Sequence, residues 1–221
     1  MTVLRLGPPV SRWAHAKGLR LGEAALMVSG GLLNAAPAHA NPMCTSDPMP
    51  AGAASRPFNG GTLWISNDGL IGITTPDGTG TLRVSTAAPT PIEAIVVDAE
   101  NNGQQQLIVS DGRSAHLYIL IHCWISETYD SQGEPFIFDL QNLRGRGTGV
   151  GCQDLGDGQH LVALQALPDG GGYVVNRTAI RMEGTTALRG PSDSVPGTSL
   201  QDPVVAAAMT ITCGSQSIGA D

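Results

Sequence analysis

The chain has 221 residues, 41% of them hydrophobic, with 12 Lys+Arg against 19 Asp+Glu and a formal net charge of −7. That acidic balance repels phosphate backbones and anionic headgroups, so nucleic acid and membrane surfaces are poor partners. No stretch approaches the ~20 apolar residues that span a bilayer, so no membrane span is expected.

Residues 1–40 carry the three parts of an export signal. Arg5, Arg12, Lys17 and Arg20 form a basic region with no acid before Glu23. Ala24–Val28 and Leu32-Leu33 are apolar, and Ala38-His39-Ala40 is the small-x-small pattern that a signal peptidase accepts. Cleavage is expected after Ala40, giving a secreted or cell-wall-associated protein. The remaining 181 residues suffice for one domain with a full core. They keep 8 basic and 18 acidic residues, so the net charge falls to −10. All eight basic residues are Arg. With the abundance of Ala and Gly, this is the usage of a GC-rich genome such as an actinobacterium's.

Cys44, Cys123, Cys152 and Cys213 all follow the signal. An even count in an exported chain predicts two disulfides. The absence of a CxxC pair argues against a zinc site and against a thioredoxin-like redox pair. Three pairings are open. The favoured one joins Cys44 to Cys213 and Cys123 to Cys152, because a long closed loop constrains the unfolded chain most.

Residues 41–61 are rich in Pro, Ala, Gly and Ser and read as a flexible arm. A single β domain is expected over 62–213, followed by a tail at 214–221. Short apolar runs cut by Gly, Asp and Asn predict strands at 62–66, 70–74, 81–85, 94–97, 106–110 and 116–121. Further strands are expected at 135–139, 149–152, 160–164 and 173–178, with a short one within 179–190. Residues 191–202 read as a polar loop. The last run, 204–212, contains Ala-Ala-Ala-Met but is flanked by Val and Thr, which favour a strand. No ten-residue segment has a 3.6-residue apolar period.

Two stretches are alike. Val97–Val109 and Cys152–Ala163 each lead from an apolar strand through an acidic, Gly-containing loop into a strand of the Leu-[Ile/Val]-[Val/Ala] type. The offset of roughly 55 residues is a spacing typical of propeller blades. Over about residues 93–180 the chain resembles the FG-GAP/VCBS-type repeats of integrin-like β-propellers. Their signature places Asp-x-Asp-x-Asp-Gly-x-x-Asp-Leu between two strands. Its first Asp falls on Asp98, its second on Glu100, its third on Asn102 and its Gly on Gly103. Its fourth acid falls on Gln106 and its Leu on Leu107. The second copy keeps Asp154, Asp157, Gly158 and Leu161, and is about two residues short.

The resemblance implies a small closed propeller-like or barrel domain; a two-sheet β-sandwich is the all-β alternative. It also implies calcium on the first loop. A hard cation wants six to eight oxygens, and Asp98, Glu100, Asn102 and Gln106 would supply carboxylate and amide oxygens.

No Gly-x-Ser-x-Gly elbow occurs. His116, His122 and His160 remain after cleavage, and six residues along a strand place the first two ~20 Å apart, too far for one ion. Glu127, Asp130, Glu134 and Asp139 cluster between strands and are candidates for the paired carboxylates of a glycoside-type hydrolase. The sequence therefore predicts a non-enzymatic binding or cell-envelope interaction module, with an unknown protein or cell-wall ligand as partner. An extracellular hydrolase using the acidic cluster is the alternative.

Overall fold

The computed structural model describes residues 44–86, 91–140 and 147–218. Strands follow one another in the sheets as they do in the chain. The first sheet runs β1 (Ala54–Phe58), β2 (Gly61–Ile65), β3 (Leu70–Thr75) and β4 (Gly78–Arg83). The second runs β5 (Glu93–Val97), β6 (Gln106–Ser110), β7 (Ser114–Ile121) and β8 (Trp124–Glu127), and β9 (Ile137–Asp139) pairs with the first half of β7. The third contains β10 (Gly147–Asp154), β11 (Gln159–Asp169), β12 (Gly172–Glu183) and β13 (Thr186–Gly197). After the short helix α1 (Pro203–Ala207), β14 (Ile211–Cys213) lies parallel to β10, and β15 (Gln216–Ile218) closes that edge.

Side-chain alternation explains how the sheets stack. Successive residues of a strand point to opposite faces. In the second sheet both faces are apolar. Ala94, Val96, Leu107, Val109, Tyr118 and Leu120 pack with Leu63, Ile71 and Ile73 of the first sheet. Ile95, Val97, Ile108, Ala115 and Leu117 pack with Val150, Leu161, Ile180 and Ile211 of the third. The second sheet is thus the middle layer, and its strands are continuous apolar runs because both faces are covered. On the outer face of the third sheet, Val162, Leu164, Ala166 and Val175 are capped by Val205 and Ala208 around α1.

Among the described residues no sheet closes into a barrel. The layers stack face to face as in a β-sandwich, the all-β alternative to the expected closed propeller-like or barrel domain, with three sheets among the described residues where that alternative has two. The two similar stretches hold equivalent places: each contains the first hairpin of a four-stranded antiparallel meander, β5–β6 or β10–β11.

Several segments differ from expectation. The Pro/Gly-rich arm supplies β1, and Thr45 bridges Thr79 beside β4. An edge strand tolerates Pro57 because it has one free side. The expected polar loop at 191–202 is largely the second half of β13, another edge strand that carries Pro191 and Pro196. Residues 204–212 begin as helix. Asp202 accepts a hydrogen bond from Val204 N at 3.2 Å, and Pro203 sits in the first turn, a start signal stronger than the flanking Val and Thr. The tail holds β15. The signal segment and its cleavage point lie outside the described residues.

The disulfides pair otherwise than expected. Cys44 bonds Cys123, with Cα atoms 5.8 Å apart, and Cys152 bonds Cys213, at 4.8 Å. Topology sets both. β10 and β14 run side by side, with Val150 opposite Ile211 and Gly151 opposite Thr212, so Cys152 and Cys213 come next in register. Cys44 precedes the Thr45–Thr79 bridge, and β4 packs so closely on the β7–β8 turn that a methyl at Gly80 would overlap the Cys123 carbonyl. One bond staples the first sheet's edge to the second; the other locks the third sheet.

Candidate functional site

A cleft of about 490 Å³ opens between the first sheet and the start of β5. Its size falls in the range of small-molecule sites. Leu63 and Ala94, both core residues, form its floor with the half-buried Ile65 and Ile92. Arg56 and Asn67 stand at the mouth, with Glu93 on the rim. Register explains the position of the arginine. Arg56 pairs with Leu63, and partners in a pair share a face. Its side chain therefore leaves the face that packs on the second sheet, but from an edge strand. Its Nη1 donates to the carbonyl of Ser217 in β15 at 3.1 Å. Arg56 thus reaches from the first sheet to the third at one side of the cleft.

The strands that carry the cleft are held firmly. Trp64, 2% exposed, lies over Gly72, where a methyl would overlap its ring. Its indole Nε1 donates to Thr74 Oγ1 at 3.1 Å. Ser66 accepts from Leu70 N at 3.0 Å and fixes the β2–β3 turn beside the mouth.

The acidic loop predicted to bind calcium is closed by its own backbone. Asp98 accepts from Asn102 N at 3.0 Å and from Gly103 N at 2.9 Å. Asn102 Nδ2 donates to Glu100 at 2.9 Å. Gln106 does not join them. It is 1% exposed and turned under the loop, accepting from Ala99 N and donating to Gln104 O. Asp98, Glu100 and Asn102 are left as a polar, solvent-facing group. Asn101 Nδ2 donates to Gln159 at 2.7 Å, which brings this loop beside the second acidic loop. There Asp154 accepts from Gly156 N and Gly158 N, and these bonds lower its pKa. Among the described residues no three His, Cys, Asp or Glu side chains converge as a metal site.

Of the candidate hydrolase acids, Asp130 and Glu134 share one turn, while Glu127, Asp130 and Asp139 line different cavities. Glu127 lines a cavity of about 280 Å³ with His116 and Tyr118. Asp130 lines another of about 550 Å³, and Asp139 a third of about 230 Å³. Asp130 spends one carboxylate oxygen on Gln132 N and Glu134 N, closing its own turn. Tyr118, buried in the core, is pushed up to about 12 first by desolvation and then by the charge of Glu127 opposite it. His122 sits in the β7–β8 turn, its Nδ1 2.9 Å from Asp77. His160 Nε2 is 2.8 Å from Asp157.

Comparison with known protein families, with curated proteins and with solved structures finds no match in any of the three. Two disulfides, and the lack among the described residues of any helix long and apolar enough to cross a membrane, fit an exported protein. The sequence missed the cleft because its lining comes from three separate stretches, 54–56, 63–69 and 91–94, none of which forms a motif.

Proposed function

We propose that the mature chain is an exported, non-enzymatic binding module that seats a small ligand in the cleft between the first sheet and β5. The carrying observation is the cleft itself: an apolar floor drawn from the core, a polar mouth, and a scaffold fixed by two disulfides. Such a shape buries most of a small ligand while a few polar groups orient it.

The hydrolase alternative receives less support. Glu127, Asp130 and Asp139 line three different cavities.

The blade-like relationship to FG-GAP/VCBS repeats belongs to the same proposal. Each sheet contains a four-stranded antiparallel meander, and the two similar acidic loops occupy the same position in theirs. Blades packed face to face without closing a ring would present the open edge where the cleft lies.

A thermal-shift panel of small amphiphiles tests the binding function, using mature protein and Ala54→Trp. Position 54 is exposed at the cleft, so the larger side chain fills the space with little cost to the core. Stabilisation of the wild type and not of the variant is expected. Equal shifts in both proteins, or none in either, would remove the cleft from the account.

A further inference from the structure

Given the cleft as a binding site, its one arginine indicates what the ligand carries. Arg56 lines a cavity whose floor is Leu63, Ile65, Ile92 and Ala94. Its Nη1 donates to Ser217 O at 3.1 Å, which leaves the opposite edge of the guanidinium for a ligand. Among the described residues the side chain takes part in no ion pair. The Nε–Nη2 edge has no partner among them either. That edge is the fork that matches the two oxygens of a carboxylate. The chain around it is acidic, with only eight basic residues after the signal, so a cation placed above an apolar floor is a specific provision.

We infer that the cleft binds an aliphatic monocarboxylate, its head on the Nε–Nη2 edge of Arg56 and its chain along Leu63, Ile65, Ile92 and Ala94. Asn67 at the mouth offers an amide to the same head. Glu93 also lines the cleft, and one arginine offsets one carboxylate, so a second negative charge on the ligand would go uncompensated.

Isothermal titration of the mature protein with octanoate, octanol and octylamine tests this inference. Octanoate is expected to bind about tenfold or more tightly than octanol, and octylamine more weakly still. Arg56→Met should abolish the preference for octanoate, bringing its affinity down to that of octanol. Arg56→Lys should recover only part of it, because a point charge replaces a fork. Equal affinity for octanoate and octanol in the wild type would overturn the carboxylate inference and leave the cleft as a binding site. Octanol binding that survives Ala54→Trp would instead sink the cleft. Failure of all three compounds to bind would overturn the inference outright.

Discussion

The Nη1 of Arg56 and the carbonyl oxygen of Ser217 lie 3.1 Å apart, joined as donor and acceptor although 161 residues separate them. The bond links the first sheet to the third past the edge of the middle one. It is solvent-exposed, so water competes for both partners. Arg56→Met is expected to cost about 1 kcal/mol or less in urea unfolding. A loss beyond about 3 kcal/mol would make the arginine a structural strut instead of a ligand contact.

The disulfide pairing is open to direct test. Non-reducing peptide mapping should recover Cys44 linked to Cys123 and Cys152 linked to Cys213. Each closes a loop of several tens of residues, with sequence separations of 79 and 61. Removing either by a double Cys→Ser change should cost about 4 kcal/mol in the chain-entropy account. A peptide joining Cys44 to Cys213 would contradict the stacking of β4 on the β7–β8 turn.

Alkaline pH should destabilise the middle layer. The Tyr118 phenol is held at about 12 by burial and by Glu127, above its ordinary value of 10.0. A raised pKa means that the neutral phenol is favoured in the folded state. The associated stability is therefore intact below pH 10 and lost as pH rises towards 12. Ultraviolet titration should show Tyr118 and Tyr129 ionising late, since Tyr129 is raised too, first by the charge of Glu127, and Glu127→Gln should bring both earlier. Unchanged titration in that variant would remove Glu127 as a cause.

Calcium is expected to leave the melting temperature unchanged at millimolar concentration. The Asp98 loop supplies its oxygens to Asn102 N and Gly103 N, and Gln106 is turned away beneath it. Of the five side-chain oxygens on Asp98, Glu100 and Asn102, both of Asp98 and that of Asn102 already accept from backbone N–H groups, and the ion requires six to eight. A calcium-dependent rise that Asp98→Asn abolishes would show that the loop rearranges to bind it.

How far the sequence could be read follows from burial. Ile95-Val96-Val97 and Leu107-Ile108-Val109 announced strands because both faces are covered, so apolar character is unbroken. Edges were harder. β1 and the second half of β13 are polar and contain proline, since only one side is paired and much of each strand meets water. α1 was hidden by Val204 and Val205, although Asp202-Pro203 marks its start. Disulfide pairing was not legible at all: which cysteines meet depends on β14 returning beside β10, and no local pattern specifies that return. The cleft was invisible for a similar reason. Arg56 and Ile92 line one cleft only because the first sheet packs on the second.

The measurement closest to the central claim is a ¹⁵N–¹H titration of the mature protein with octanoate. Saturable shifts confined to Ala54–Arg56, Leu63–Asn67 and Ile92–Ala94 are expected, since these residues line the cleft. Shifts centred instead on Asp130–Ile137, or no saturable shift at the cleft, would contradict it.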